Sequence, residues 1–500
     1  MSGGSDPGSG PDSEASSGED AQSDPAGDPQ SDPPGDPGPG MADDSGPASA
    51  DDPLTRVRES DVSLIVGGFL ALYLGYVLVG IVAGLSPRGI FATVTQLTLL
   101  IAIYAMLTLS LNLHWGYTGL FNIGIVGFMA VGGYTFLMLT MQVAEPGVRS
   151  AGGLGLPFVV GLAGAVVAAA VLGFVVGLPS LRLRADYLAI TTIAMAEIVR
   201  YFYQSNAFQQ VELFGMSLGT GGGSGLVGDS TTPFDRYVYD AGWSEGLVDF
   251  LDETFRISGT LGPPIETLFD AIVLLVVVAG FYWLLKRTGG SPFGRVLKAI
   301  REDEDVANAL GKDTGRFKMK SFMLGCALMG LAGALYVYFQ LGNTVNPTVF
   351  RPRLTFFVWV ALILGGAGSN TGSVLGAALF VGILFRGPLY VKNAVENIVA
   401  FPDSPATVAG ALGGLLSLDP VPFLAFLFDN MGSLRIILLG VVLIVLMKRR
   451  PQGLLGHRKE TAAAVPLVPT ETTATGGLTP GSEGPEATDG GEPGGGGERP

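Results

Sequence analysis

The polar segment Lys286–Lys320 lies between two apolar stretches of membrane length and holds nine of the chain's 29 Lys and Arg residues. Within it, Phe293–Leu310 is predicted to form a helix, because apolar side chains recur there at roughly helical spacing. These are Val296, Ala299, Ile300, Val306, Ala309 and Leu310. The other faces carry both signs of charge, on Arg295, Lys298, Arg301, Glu302, Asp303, Glu304 and Asp305. Gly311 follows at a position typical of a helix end.

A charged amphipathic helix at a membrane surface is suited to docking in a groove of complementary charge on a partner protein. The alternative is a solvated loop that only joins two membrane helices. The residue types of this segment, taken alone, leave both interpretations open.

Glu197 and Arg200 lie inside an apolar run, where ionisable side chains are costly and often functional. They are three residues apart, so a helix places them on one face, where they can form an ion pair. A structural pair and a role in transport are the two interpretations of these residues.

Patterns typical of enzymes are missing from the sequence. It contains no Gly-x4-Gly-Lys-[Ser/Thr] phosphate loop. His114, His457 and the one cysteine, Cys326, lie far apart and lack metal-ligand spacing. We therefore expect no catalytic residue, no metal and no cofactor on this chain, and no nucleic-acid partner. The same observation argues against a membrane-embedded enzyme.

Long apolar runs must position these residues. The chain is 48% hydrophobic and 15% charged, with a mean hydropathy of +0.44, and a helix needs roughly 20 apolar residues to cross a bilayer. We predict an all-α polytopic membrane protein with about ten transmembrane helices, or eight if two short runs form a re-entrant hairpin. The runs are Ser63–Leu85, Ile90–Leu113, Gly116–Leu139, Pro157–Leu178, Tyr187–Tyr203, Glu266–Leu285, Ser321–Leu341, Leu354–Gly366, Gly372–Phe385 and Leu434–Met447.

The ends of the chain differ from its middle. Residues 1–55 are acidic, residues 458–500 are rich in Gly, Pro, Thr and Glu, and both are predicted to be disordered because they cannot bury enough apolar surface. Residues 56–457 form the predicted membrane domain. Its two external loops and one cytoplasmic segment are predicted at 206–264, 388–432 and 286–320. Nineteen Lys and Arg residues fall in predicted cytoplasmic segments and seven in external ones, which predicts that both termini are cytoplasmic.

Seven stretches contain recurring glycine, aromatic and charge patterns. They are LHWGYTGL (113–120), FMAVGGY (128–134), LRLRADYLAITTIAMAEIVR (181–200), TGGGSGL (220–226), FGRVLKAIREDEDVANALG (293–311), LGGAGSNTGSVLG (364–376) and PQGLLG (451–456). In this order they resemble the motifs of LivM-type permeases, which serve branched-chain amino acid ABC importers. The acidic, lysine-poor composition resembles that of haloarchaeal members. One departure is Asn122-Ile123-Gly124-Ile125, where the family has Ser-Leu-Gly-His.

The resemblance implies a permease subunit that imports branched-chain amino acids (Leu, Ile or Val) through the cell membrane. Its implied partners are a second homologous permease, two ABC ATPase subunits that use ATP, an extracellular substrate-binding protein and membrane lipid. Residues 286–320, called the coupling segment below, would then dock on the ATPases.

The family motifs also imply roles for single residues. Those implied to couple to the ATPases are Phe293, Gly294, Arg295, Lys298, Arg301, Glu302, Asp303, Glu304 and Gly311. Those that could line a substrate path are Tyr117, Asn122, Tyr134, Tyr187, Thr191, Thr192 and Glu197.

Two other transport functions remain as alternatives. Permeases for urea or short-chain amides share these motifs, and the cognate binding protein selects the cargo. A secondary carrier would need no ATP, and its uptake would follow an ion gradient.

Overall fold

The computed structural model describes residues 61–144, 151–182, 185–213, 216–228, 246, 262–399 and 403–455. All of them belong to one compact unit, residues 57–500. The predicted disordered tails, and much of the predicted external loop 206–264, lie outside the described residues.

The described part of the chain is dominated by α-helices. They are α1 (Asp61–Val82), α2 (Pro87–Leu111), α3 (Ile125–Thr140), α4 (Phe158–Ser180), α5 (Ala185–Gln204), α6 (Gly262–Gly290), α7 (Pro292–Glu302), α8 (Glu304–Ala309), α9 (Thr314–Leu335), α10 (Pro352–Gly365), α11 (Asn370–Leu379), α12 (Gly387–Ile398), α13 (Val408–Leu416), α14 (Val421–Asp429) and α15 (Met431–Arg449). Three π-helical stretches extend α2, extend α9 and join α11 to α12; they are Asn112–Tyr117, Tyr336–Gln340 and Phe380–Arg386.

The described residues also include three short 3-10 helices (Asn206–Phe208, Gly222–Ser224 and Pro347–Val349) and two short antiparallel strand pairs. Strand β1 (Val211–Leu213) pairs with β2 (Met216–Leu218), and β3 (Leu226–Val227) pairs with β4 (Thr344–Val345). The second pair links the loop after α5 to the residues that follow α9.

Eight helices in the described part of the chain are long and apolar enough to cross a membrane. Helix α3, with 16 residues, is shorter, and α5 includes three charged residues in its 20. Each of the ten predicted apolar runs overlaps one of these ten helices. The prediction of an all-α polytopic membrane protein is therefore confirmed.

Two boundaries differ from the prediction. The run Gly116–Leu139 does not start as a helix: residues 112–117 continue α2 as a π-helix, and α3 begins only at Ile125. The predicted loop 388–432 contains three short helices, α12 to α14, where the structure describes it. Apolar patches that we assigned to a loop therefore lie on short helices.

Helices α2 and α9 form the centre of the bundle. In the most apolar 18 residues of each span, 72% and 67% of the residues are buried. Close backbone approach makes this possible, since a Cβ added at Gly132 in α3 would lie 2.0 Å from the carbonyl oxygen of Gly330 in α9. Small residues are the usual means by which membrane helices approach closely. By contrast, only 6% of the most apolar 18 residues of α15 are buried, so this helix lies at the periphery.

Candidate coupling segment and transport path

The coupling segment folds as two helices rather than one. Ser291 caps α7, its Oγ accepting a hydrogen bond from the Gly294 N–H at 3.2 Å. At Asp303 the backbone is extended (φ −156°, ψ 110°), and the Asp303 carboxylate accepts hydrogen bonds from Asp305 N and Val306 N, both at 3.0 Å. The predicted single helix over Phe293–Leu310 is therefore wrong, because a capping aspartate ends α7 and starts α8.

This break changes which residues face the bundle. Gly294, Leu297, Ile300 and Ala307 are buried, and only Ile300 of these belongs to the predicted apolar set. Side chains of Val306 and Leu310 are 55% and 74% exposed. Val306 and Leu310 lie beyond the break at Asp303, where the helix axis changes. Counting positions along one continuous helix therefore placed them on the wrong face.

Three charged residues of α7 and α8 contact the neighbouring helices. The Arg301 guanidinium donates to the carbonyl oxygen of Gly116 and pairs with Glu302. Lys298 Nζ lies 5.4 Å from the centre of the Tyr117 ring. Glu304 accepts two hydrogen bonds from Lys318 Nζ, at 2.8 and 2.9 Å. These contacts hold the coupling segment to the π-helical end of α2 and to α9.

Other charged side chains of α7 and α8, and of the residue between them, lie on the outer surface of the coupling segment. Arg295, Asp303 and Asp305 are exposed there beside the exposed apolar Val306 and Leu310. A surface that mixes both charge signs with apolar side chains has the composition expected of a protein docking site.

The turn between α6 and α7 is tightly packed. A Cβ on Gly294 would lie 2.2 Å from the Thr288 carbonyl oxygen, and one on Gly289 would lie 2.9 Å from Tyr117 Oη. Phe293 stacks on Phe317 of α9, with 5.5 Å between ring centres. Helix α7 is therefore packed directly against α6 and α9, with no loose loop between them.

An aromatic cluster lies beside the coupling segment and was missed by the sequence analysis. Its members are Trp115, Phe121 and Trp359, with ring centres 4.8 to 5.6 Å apart. They line a cavity of 940 Å³ together with Arg301 and mainly apolar side chains such as Ile363. The only sign of this cluster in the sequence was Trp115, a tryptophan inside the LHWGYTGL motif at the end of α2.

Asn122 and Thr192 are brought together at the start of α3. Asn122 Oδ1 accepts from Gly124 N at 2.8 Å, and Thr192 Oγ1 accepts from Ile123 N at 3.0 Å. Trp359 Nε1 donates to the Asn122 carbonyl oxygen at 3.1 Å. The side chains of Asn122 and Thr192 thus hold the non-helical residues before α3, and the Trp359 indole ties this turn to the aromatic cluster.

The two predicted path tyrosines of the core lie apart. Tyr117 is buried, with its Oη 3.5 Å from the Leu285 carbonyl oxygen. Tyr134 stacks on Tyr203 at 3.8 Å between ring centres, and its buried Oη has no hydrogen-bond partner among the residues that the structure describes. Tyr134 therefore offers an unused polar group inside the bundle.

The other predicted path residues lie on α5. Tyr187 is 57% exposed, and Thr191 donates to its carbonyl oxygen at 2.7 Å. Glu197 accepts from Arg200 Nη2 at 2.6 Å and from Arg200 Nε at 2.9 Å. The two charges thus form an ion pair on their own helix. Four large apolar side chains on α5 are also exposed: Ile190, Ile198, Tyr201 and Phe202.

Asn112 ties α2 to the turn between α10 and α11. Its Oδ1 accepts from Gly368 N at 2.7 Å, and its Nδ2 donates to Asn370 Oδ1 at 3.1 Å. The closing motif reaches the same place, since Leu454 N donates to the Leu364 carbonyl oxygen at 3.0 Å. Motifs far apart in the chain therefore meet at the end of the bundle that carries the coupling segment.

Comparison with known proteins identifies the family to which the chain is similar. Residues 93–418 match the family described as branched-chain amino acid transport system / permease component. The high-affinity branched-chain amino acid transport system permease protein LivM of Salmonella typhimurium is 34% identical over 287 residues, 56% of this chain and 60% of that protein. The probable permease protein LivM of Methanocaldococcus jannaschii is 28% identical over 352 residues, 65% of this chain and 90% of that protein.

A second group of relatives matches less of the chain. The branched-chain amino acid permease protein LivH of Escherichia coli K12 is 29% identical over 137 residues, 27% of this chain and 43% of that protein. The match to the Salmonella LivM covers 60% of its length, and no solved structure matches the chain. The family match itself covers more than half of this chain. The chain therefore belongs to the permease-component family of branched-chain amino acid transport systems.

Proposed function

We propose that the chain is a transmembrane permease subunit of an ABC importer that carries Leu, Ile or Val into the cell. Separate ATPase subunits would drive it, an extracellular binding protein would supply the substrate, and a second permease would complete the pore. The observation that carries this proposal is the Arg301–Gly116 hydrogen bond, which joins a docking surface to the end of α2 beside the aromatic cluster.

Force from the ATPases would enter through the exposed surface of α7 and α8. Because Gly289 and Gly294 are tightly packed, a displacement of α7 moves α6 and the π-helical end of α2 with it. Arg301 contacts the same turn that presents Trp115. Docking and release would therefore move the aromatic cluster and change the width of the cavity it lines.

The cavity suits an amino acid with an apolar side chain. Its walls are mostly aromatic and aliphatic, and Arg301 supplies a cation at one side. Such a lining passes an apolar side chain without binding it tightly, as an importer requires. The exposed apolar face of α5 would pack on the second permease, leaving the path between the two subunits.

The charge distribution supports a cytoplasmic coupling segment. Nine of the 29 Lys and Arg residues lie in residues 286–320, and basic residues accumulate in the cytoplasmic segments of membrane proteins. Both termini would then be cytoplasmic as well.

The substitution Arg301→Gln tests the coupling role. In the complete transporter we expect leucine uptake to fall about tenfold while ATP hydrolysis continues, since a hydrogen bond from a charged donor contributes about 1.5–3 kcal/mol. Uptake and ATPase activity are measured on the same proteoliposomes.

Arg316→Gln is the matched control, because Arg316 lies in the same segment but is 82% exposed, and its one ion-pair partner in the described part of the chain is Asp313. Uptake at the normal rate in Arg301→Gln would contradict the coupling role. Competition of leucine uptake by urea or acetamide, but not by isoleucine, would replace the proposed cargo with a small amide.

A further inference from the structure

Three arginines form a cluster at the end of the bundle opposite the coupling segment. Arg353 lies in the first turn of α10, Arg386 at the end of the π-helical stretch before α12, and Arg435 in the first turns of α15. Helix α10 ends at Gly365, beside the Asn112 contacts with the turn before α11. Its first turn, and the arginine cluster with it, therefore lies toward the other membrane surface.

Aromatic side chains hold the arginine cluster together. The Arg435 guanidinium lies 4.4 Å from the centre of the Phe385 ring, and its Nη1 donates to the Phe385 carbonyl oxygen at 3.1 Å. Arg353 lies 5.2 Å from the Phe357 ring, which is 5.4 Å from Phe385. Arg386 follows Phe385 directly in the chain, so all three arginines lie around the Phe357–Phe385 pair.

Among the described residues, no carboxylate pairs with any member of the arginine cluster. The Arg435 Nε is buried, and none of the described residues supplies it with a hydrogen-bond acceptor. The one acidic residue of α12, Glu396, lies 3.5 Å from Lys392 Nζ. Three like charges at the edge of a low-dielectric region repel one another, so an external anion would stabilise this arrangement.

A polar pocket adjoins Arg386. It has a volume of 190 Å³ and lies between α1, α2 and α12. Its polar lining consists of Tyr76, Thr93, Gln96, Tyr390 and Asn393. The hydroxyls of Tyr76, Tyr390 and Thr93 donate to backbone carbonyl oxygens. The side-chain amides of Gln96 and Asn393 are therefore the donors that complement the Arg386 guanidinium in binding phosphate oxygens.

The position of the arginine cluster favours a lipid over a protein. Arg435 belongs to the peripheral helix α15, where Ile437 is 64% exposed, and Ile383 is exposed one turn before Arg386. The chain continues beyond Arg386 as α12, so the cluster lies on the flank of the bundle and not at its tip. Basic pockets between membrane helices bind anionic lipid headgroups on the cytoplasmic side of membranes, and the same charge attraction acts in the opposite leaflet.

We propose that the arginine cluster and its adjoining pocket bind the phosphate headgroup of an anionic membrane lipid, in the leaflet opposite the coupling segment. The headgroup phosphate contacts the guanidinium groups, and the acyl chains cover the exposed aliphatic side chains of α15. The lipid thereby supplies a negative charge that no carboxylate among the described residues supplies.

The test uses the full-length chain in nanodiscs of phosphatidylcholine with and without phosphatidylglycerol. Retained phosphatidylglycerol is counted by native mass spectrometry after the complex is released into detergent. We expect Arg386→Gln and Arg435→Gln each to reduce retention about fivefold, in line with the contribution of one basic residue at a charged membrane surface. Arg386→Lys and Arg435→Lys keep the charge and retain the lipid.

Arg88→Gln is the matched control, because Arg88 lies at the first turn of α2, toward the same membrane surface, and outside the arginine cluster. Equal retention by the glutamine variants and by Arg88→Gln would overturn the proposal. Displacement of phosphatidylglycerol by millimolar inorganic phosphate would identify a free-phosphate site instead. Unchanged lipid retention with weakened docking of the binding protein would assign the arginine cluster to protein contact.

Discussion

Asp303 determines the shape of the coupling segment through one side-chain interaction. Its carboxylate accepts hydrogen bonds from two backbone N–H groups at the start of α8, both at 3.0 Å. Those N–H groups have no partner within the helix, so the cap satisfies donors that would otherwise depend on water. Without it, the exposed surface formed by Val306 and Leu310 would not be held in place.

Asp303→Ala is expected to destabilise α8 by about 1 kcal/mol, the usual contribution of an N-cap. Uptake by the complete transporter should fall several-fold, while Asp303→Asn, which keeps a capping oxygen, should remain near the native rate. The measurement is leucine-stimulated ATPase activity together with uptake. If Asn proved as harmful as Ala, the charge and not the cap would be the property that matters.

At the scale of elements, helices α3, α4 and α9 pack with almost no space between their backbones. A Cβ on Gly330 would lie 2.3 Å from the Ala169 Cβ of α4, and one on Gly132 would meet the Gly330 carbonyl oxygen. Membrane helices gain their association energy from such packing, since lipid offers no hydrophobic driving force between them.

Gly132→Ala should therefore destabilise the bundle by about 1–3 kcal/mol or more, the usual cost of overpacking a core. Gly75→Ala in α1 is the matched control, because nothing lies within 4 Å of its added Cβ. Thermal unfolding of the two variants in detergent gives the comparison. Equal melting temperatures would contradict the close packing of α3 on α9.

The sequence predicted elements better than the contacts between them. Apolar runs are local and long, so the ten helices that overlap them could be located from hydropathy alone. The break at Asp303 depends on which hydrogen bonds one side chain makes, and helical periodicity does not contain that information. The contact of Trp115 with Trp359 and the convergence of Arg353, Arg386 and Arg435 join residues distant in the chain, which no local pattern reveals.

For the whole molecule, the exposed apolar face of α5 is a large surface on a bundle that already has a buried centre. Its side chains include Tyr187, Ile190 and Ile198. Exposed apolar residues on a membrane helix can face lipid or another subunit. The ion pair between Glu197 and Arg200 on the same helix favours a subunit interface, because ionisable residues in membrane segments usually face protein.

A benzophenone maleimide attached to Ile198→Cys is expected to cross-link this chain to the second permease in the assembled transporter. The only native cysteine, Cys326, is fully buried and should not react. Val167→Cys in α4, 60% exposed, is the control and should label without cross-linking. Equal cross-linking from both positions, detected by mass spectrometry, would place the interface elsewhere.

Helix α15 has little buried surface, yet both of its ends are fastened to the bundle. Arg435 donates to the Phe385 carbonyl oxygen near one end, and beyond the other end Leu455 N donates to the Gly365 carbonyl oxygen at 3.0 Å. A side chain at Gly453 would lie 2.5 Å from the Ile363 carbonyl oxygen, so only glycine permits this clasp. Helix α15 is thus fixed to the bundle at both ends while its middle is exposed, and its distal contact fixes the position of the α10–α11 turn.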